Sequence, residues 1–213
     1  NGSAKDEASD STAKTVAVGC AAGAAKFAGS GSVTVNVISQ KADASIGEGN
    51  YQAGDQGVDV EAKNTARLFG LAGGLGINLG GTGIGAAADV QTYKGHTYAS
   101  IEDGAKLSKA SSVRVNAESE ENLTSVAATI ATGDTFAGAG AAGRHGISTD
   151  TKAYIGNQED KEITETGKAE LTEAGAVSVT AKDTTKLTTS GGSGAVSGTA
   201  AGGLSAAVEV VQK

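Results

Sequence analysis

Short runs in which apolar and polar residues alternate dominate this chain. They occur at residues 33–37 (VTVNV), 58–62 (VDVEA), 113–117 (VRVNA) and 177–181 (VSVTA). Successive side chains of a β-strand point to opposite faces, so this period of two predicts half-buried strands. The valines are expected to be buried and the polar residues between them solvated. Helix is disfavoured, because each of the 33 glycines would cost about 1 kcal/mol relative to alanine inside a helix.

The runs recur at a nearly fixed spacing. Two landmarks begin at Ala44, Ala99 and Ala153 (ASIG, ASIE, AYIG) and at Val58, Val113 and Val177. Both recur with a period of roughly 55 residues, except that the third copy of the second landmark comes late. The added residues fall in the charged stretch 157–171, which is therefore predicted to be a lengthened loop. A repeat of this size predicts stacked units that contact chiefly their neighbours.

A parallel β-solenoid satisfies this pattern. We predict an all-β fold with repeats of roughly 55 residues, and a single segment over residues 1–213 with half a repeat plus three repeats. With coils about 4.8 Å apart, about 20 residues per coil would give a rod on the order of 50 Å long. Glycine lets facing sheets approach closely, and the absence of proline keeps every ladder hydrogen bond. Unpaired strands at both ends predict end-to-end or other homo-oligomeric association.

Composition narrows the function. The chain has 24 acidic and 17 basic residues, a net charge of −7, which argues against a nucleic-acid partner. It has only seven aromatic residues, too few for a wide aromatic core, and no run of 18 apolar residues. Without an initiator Met or signal-type segment, it is expected to be part of a longer or processed protein. Cys20 has no internal disulfide partner, so it is predicted to be a small buried hydrophobe, a reactive or intermolecular thiol being the alternative.

Glycine-rich motifs were tested against known ligand patterns. Residues 138–143 (GAGAAG) satisfy the dinucleotide pattern, but the following RHGISTD does not open a helix. Residues 73–81 and 80–89 resemble the calcium nonapeptide, which needs an acidic sixth residue, and those positions hold Asn78 and Gly85. We therefore predict no cofactor and no metal.

The remaining polar motifs predict no catalytic residues. His96 and His145 lack a second ligand at metal spacing and are predicted to be solvated turn residues. The acidic clusters are predicted to be polar faces and loops rather than a glycosidase pair, because the tyrosines are scattered. Threonines of one unit form no recurring ice-binding pattern, and two glycosylation triplets are considered incidental. The residues concerned are Glu118, Glu120, Glu121, Glu159, Asp160 and Glu162 (acidic), Tyr93, Tyr98 and Tyr154, Thr184, Thr185, Thr188 and Thr189, and the triplets at 1–3 and 122–124.

Three segments of the sequence resemble a known protein family. Residues 33–49 (VTVNVISQKADASIGEG), 149–157 (TDTKAYIGN) and 175–187 (GAVSVTAKDTTKL) together resemble the repeat of leukotoxin-type filamentous adhesins, secreted bacterial exoproteins related to filamentous haemagglutinins. The resemblance implies a right-handed parallel β-helix exported across the outer membrane to the cell surface. It implies adhesion and, in some members, toxicity to host cells. No catalytic or binding residue is defined by these motifs.

The first hypothesis is therefore a non-enzymatic structural and adhesive stalk segment of a secreted surface exoprotein. Its expected partners are a host-cell surface receptor and other copies of itself, with no nucleic acid and no small-molecule substrate. The alternatives are a host-cell-directed toxin (leukotoxin) module and a β-helical polysaccharide-active enzyme. A left-handed β-roll, as in trimeric autotransporter heads, is the alternative fold, but its characteristic short repeat is not found.

Overall fold

The described part of the chain is built from β-strands. The computed structural model describes residues 4–5, 7–156 and 168–213. No helix occurs in these ranges, so the prediction of an all-β fold is confirmed. The strands are β1 (Ala4–Lys5), β2 (Glu7–Gly23), β3 (Phe27–Ile46), β4 (Gly49–Gln52), β5 (Gly57–Asn78), β6 (Thr82–Ile101), β7 (Ala105–Ser108), β8 (Ser112–Gly133), β9 (Phe136–Ile155), β10 (Glu170–Thr172), β11 (Ala176–Ser197) and β12 (Ala200–Gln212).

Copies of the repeat lie side by side in three sheets. Sheet 1 has the order β1-β3-β6-β9-β12, sheet 2 the order β2-β5-β8-β11, and sheet 3 the short strands β4-β7-β10. All pairings are parallel except that of β1 with β3. Ala44, Ala99 and Ala153 are register partners, and the landmark that begins at Val58 is aligned in the same way. The sequence repeat is therefore the pairing unit.

Each long strand pairs with the strand one whole repeat further along. Phe27 pairs with Thr82, and Thr82 pairs with Phe136, so each residue meets the equivalent position of the next repeat. The expectation of about 20 residues per coil is therefore wrong. Four layers about 4.8 Å apart make a stack about 20 Å deep, whereas 22-residue strands at about 3.3 Å per residue run about 70 Å. The described chain is a slab rather than the predicted narrow rod.

Two kinds of connection join the strands of one layer. At the end named here the arch end, residues 24–26, 79–81, 134–135 and 198–199 carry the chain from sheet 2 to sheet 1. At the opposite end, the corner end, the short strands of sheet 3 close the layer. Gly104 has a φ of +81° just before β7, a left-handed conformation that glycine adopts without a steric penalty.

The core is a row of small apolar clusters between sheets 1 and 2. The two clusters nearest the arch end consist of alanine alone, whereas the two toward the corner end also contain large side chains, so the interior is narrowest near the arch end. From corner to arch, the clusters include Ile46, Val60, Ile101, Leu107 and Val115; then Leu68, Tyr93, Leu123 and Ile147; then Ala72, Ala87, Ala127 and Ala141; then Ala131, Ala137 and Ala139.

The alternation at residues 33–37 is inverted relative to the prediction. Thr34 is 1% exposed and Asn36 7%, whereas Val35 is 58% exposed. Their register partners in β6 are also polar and buried, Asp89 for Thr34, so this part of the interior is hydrogen-bonded rather than apolar. The predicted orientation is confirmed in the next run of the chain, where Val60 is 1% exposed.

Glycine allows sheets 1 and 2 to touch near the arch end. A Cβ on Gly74 would lie 2.6 Å from the carbonyl oxygen of Ala86, and one on Gly76 would lie 2.3 Å from that of Ile84. Any side chain at these positions would force the sheets apart. The predicted role of glycine in close sheet packing is therefore confirmed here.

Candidate functional site

Polar side chains form two groups inside the stack, between the apolar clusters. Both are partly or wholly buried, although the sequence predicted no polar interior. The corner-side group contains Gln40, Asn64, Thr97, Ser119, Glu121, Thr149, Asp183 and Thr185, and the arch-side group contains Thr15, Thr34, Asn36, Asp89, Gln91, Ser125, His145 and Thr189.

Two carboxylates meet in the corner-side group. Glu121 is 1% exposed and accepts a hydrogen bond from the hydroxyl of Ser119. Thr185 Oγ1 lies 2.9 Å from Glu121 Oε2 and 3.3 Å from Asp183 Oδ1, so its single proton serves one carboxylate at a time. Lys213 Nζ lies 2.5 Å from Asp183 Oδ1. The ammonium group of Lys213 therefore pairs with Asp183, whereas Glu121 accepts hydrogen bonds from hydroxyl groups.

The pKa values of these two carboxyls are shifted in opposite directions. Burial raises the pKa of Glu121, and the charge of Asp183 acts in the same direction. Burial also acts to raise the pKa of Asp183, but hydrogen bonds from Lys213 and neighbouring hydroxyls outweigh it and lower that pKa. Burial raises the pKa of nearby Tyr93, with a further contribution from Glu121. Glu121 is therefore harder to ionise than a free glutamic acid, whereas Asp183 beside it ionises more readily than a free aspartic acid.

The arch-side group is centred on Asp89, which is fully buried. Thr34 donates a hydrogen bond to Asp89 Oδ1, and Gln91 Nε2 donates to Asp89 Oδ2 over 2.9 Å. Gln91 Nε2 also lies 2.6 Å from the carbonyl oxygen of Thr124 in sheet 2. A Cβ on Gly70 would lie 2.1 Å from Asp89 Oδ1, so a glycine is needed there to make room for the carboxylate. These bonds join three successive layers and both sheets.

His145 continues the arch-side group into the next layer, as the register partner of Gln91. Its Nδ1 lies 3.1 Å from Thr189 Oγ1, which donates to Glu209 Oε1 over 2.8 Å. Because Thr189 has one proton, its oxygen is left to accept from an Nδ1–H of the imidazole. Burial lowers the pKa of His145, and Glu209 and Asp89 oppose this shift. Burial therefore makes this imidazole harder to protonate than that of a free histidine.

The structure corrects three sequence predictions. Cys20 is exposed, so the prediction of a buried residue is wrong. His145 is fully buried in β9 rather than solvated in a turn, whereas His96 is exposed but lies in β6. Glu121 is buried, although Glu120 beside it is exposed. The sequence signal for this burial was the alternation of side chains along the strand. Glu121 lies an even number of residues from the other buried side chains of β8, so it points to the same face.

The other motifs lie in extended strands or outside the described residues. Residues 138–143 belong to β9, so no helix N-terminus accompanies the dinucleotide-like pattern. Asn78 ends β5 and accepts a hydrogen bond from the Gly80 amide over 2.9 Å, which shapes an arch. Asn122–Thr124 lies in β8, and the threonines of β11 alternate between the two faces. Glu159, Asp160, Glu162, the triplet 1–3 and residues 157–167 of the predicted loop lie outside the described ranges, whereas Glu170–Thr172 form β10.

The outer surface of the corner half is charged. Lys63 and Lys182 lie on either side of Glu118, at Nζ–Oε distances of 3.4 and 3.1 Å, and the hydrogen bond from Lys182 lowers the pKa of Glu118. On sheet 1, burial and the hydrogen bond that Tyr98 donates to Asp150 raise the pKa of Tyr98 to about 12. These surface contacts align strands of successive layers, although exposed ion pairs add little stability.

No site for a metal ion is apparent in the described ranges, where no three His, Cys, Asp or Glu side chains converge suitably. In the same ranges, no helix has the length and apolar character needed to cross a membrane. Comparison with known proteins found no matching family model, curated protein or solved structure. Function must therefore be inferred from the chain's own geometry.

Proposed function

We propose that this chain is one segment of a right-handed parallel β-solenoid in a longer repeat protein, and that it serves as a structural and adhesive stalk. The observation that supports this most directly is the parallel pairing of successive repeats, residue for residue, in all three sheets. The right-handed sense follows from the strong preference of parallel crossover connections and from the family resemblance.

Stacking of this kind suits a mechanical role. Each layer is held to the next along two strands of about 20 residues, so bending the stack strains many hydrogen bonds at once. Buried bonds between layers, such as Thr34 to Asp89 and Thr185 to Glu121, oppose a slip in register. A further repeat extends the stack by only about 4.8 Å. The proposed stalk is therefore broad and stiff rather than long for its mass.

The interior carboxylates support a structural role better than an enzymatic one. Asp89 and Glu121 are buried between the sheets, where a polysaccharide chain cannot reach them. Glu120 and Glu121 are adjacent in β8 and point to opposite faces, so they cannot flank one glycosidic bond. In the proposed role, these groups connect layers instead of reacting.

Adhesion is proposed to occur at the bacterial surface, through contact with a host-cell receptor. Fluorescently labelled chain should bind host cells saturably and leave leukocytes viable. Saturable binding combined with leukocyte killing would favour the toxin module, and absence of binding would remove adhesion from the proposal while leaving the stalk.

The stalk is tested by lengthening the chain. Residues 57–111 form one complete layer, and up to four further copies can be inserted after Ser111, where β8 begins at Ser112. Small-angle X-ray scattering should show the stack dimension growing by about 4.8 Å per copy, with the other two dimensions unchanged. Uniform growth of all three dimensions would refute the solenoid.

A further inference from the structure

The outer surface of sheet 2 changes character along its strands. Toward the corner end it carries charged side chains, the last of which is Lys14 beside its register partner Phe69. Beyond this row, the described outward positions toward the arch end carry no charge. The arch half of this surface, with Phe69 at its border, is named here the apolar face. Its larger side chains are Val16, Val18, Phe69, Leu71, Leu75, Ile77, Val126, Ile130 and Val196.

These side chains point outward because the space inside is taken. The inward neighbours are small residues, mostly glycine and alanine, and a Cβ on Gly74 would already meet the backbone of sheet 1. Val16 remains 61% exposed, Ile130 56% and Val196 67%. Small residues separate them: no atom lies within 4 Å of a Cβ built on Gly192. The result is a flat surface of apolar ridges and shallow depressions that the fold cannot bury within one chain.

We propose that a second copy of this chain packs against the apolar face, sheet on sheet, in a two-fold symmetric pair. The face runs about 30 Å along β5 from Phe69 to Ile77 and about 19 Å across four strands, or about 570 Å² per copy. The pair would bury about 1,100 Å² in total, which is close to the lower limit for a specific interface. Association in the micromolar range follows, and further repeats would strengthen it.

A second copy fits this face better than a lipid bilayer does. The net charge of −7 opposes binding to anionic lipid. At the rim, Arg67 is already paired with Asp10 at 3.5 Å within the same sheet. Two flat apolar sheets, by contrast, pack at about 10 Å by interdigitation.

Sedimentation equilibrium of the whole chain between about 1 and 500 μM tests this pair. Wild type should form dimers, and Leu75→Lys should raise the dissociation constant at least tenfold, because two-fold symmetry brings like charges together. Val35→Lys is the matched control on the outer face of sheet 1 and should leave the dissociation constant within twofold. Circular dichroism must show unchanged strand content in both variants.

Cys20 provides a second readout, since it lies on the apolar face as the register partner of Leu75. Alkylation by N-ethylmaleimide should slow at least fivefold between 1 and 500 μM chain, and Leu75→Lys should abolish this slowing. The proposal is overturned by a monomer at every concentration or by a dimer that Val35→Lys weakens and Leu75→Lys does not. It is also overturned if monomeric chain co-floats with phosphatidylcholine vesicles and Leu75→Lys prevents this.

Discussion

Replacing Gly76 by alanine should destabilise the stack, although it adds a single methyl group. Gly76 points inward from β5, and a Cβ there would lie 2.3 Å from the carbonyl oxygen of Ile84, 2.7 Å from its carbonyl carbon and 3.1 Å from its nitrogen. All three are backbone atoms, so no rotamer change relieves the contact. Since ordinary contact begins at 3.4 Å, sheets 1 and 2 must separate locally by about 1 Å.

The magnitude follows from two opposing effects. Overpacking that forces backbone shifts costs about 1–3 kcal/mol, and the upper end applies because two sheets must move. Removing a glycine restricts the unfolded chain, which stabilises by about 0.4–1 kcal/mol. We therefore expect Gly76→Ala to lower the free energy of unfolding by about 2 kcal/mol.

Gly140→Ala is the matched control. Gly140 lies on the outward side of β9, and no atom lies within 4 Å of a Cβ built there. This variant retains only the unfolded-state effect and should stabilise by about 0.4–1 kcal/mol. Urea unfolding followed by circular dichroism should thus give midpoints that move in opposite directions. Equal midpoints for the two variants would refute close contact of the sheets at Gly76.

Three further predictions concern the interior. Leu68→Ala should lower the free energy of unfolding by about 2–5 kcal/mol. The control Val37→Ala changes a side chain that is 69% exposed and should alter the free energy of unfolding by less than about 0.5 kcal/mol. Urea unfolding measures both values. Burial raises the pKa of Glu121, so its neutral form stabilises the fold below the ordinary pKa of 4.5. This contribution is lost as the pH rises through the pKa of Glu121 in the folded state. Replacing Glu121 by glutamine (Glu121→Gln) should therefore reduce the decline of the urea midpoint above pH 4.5. Burial lowers the pKa of His145, so the stability of the fold should decrease as the pH drops below 6.5. The His145→Gln variant should not show this loss of stability. NMR titration of the imidazole should give a pKa below 6.5.

The repeat could be predicted because its landmarks recur at nearly the same spacing, and the pairing of Ala44 with Ala99 follows from that repeat. The number of residues in each layer could not be predicted. Residues 39–43 (SQKAD) have the polar composition that is usual between two short strands, but they continue β3 without interruption. The long strands, with 20–22 residues in complete layers, far exceed the usual 3–10. Because part of the interior is polar, the residues in the middle of β3 have the composition of a turn.

The polar interior was hidden for the same physical reason. A carboxylate or imidazole is ordinarily expected at the surface, so Glu121 and His145 were assigned to solvent. Their burial depends on partners from other layers, Thr185 for Glu121 and Thr189 for His145, which lie 64 and 44 residues away. Single-sequence patterns give parity along a strand, but they do not reveal which hydroxyl will satisfy a buried acceptor.

The most direct test is whether residues one repeat apart are neighbours in parallel register. With Cys20 replaced by serine, spin labels can be placed at Glu61 and Asn116, which are register partners, or at Glu61 and Thr180, two layers apart. Adjacent strands lie about 4.8 Å apart, so continuous-wave electron paramagnetic resonance should show strong dipolar broadening for the first pair and weaker broadening for the second. An unbroadened spectrum for labels at Glu61 and Asn116 would contradict the stacking of repeats.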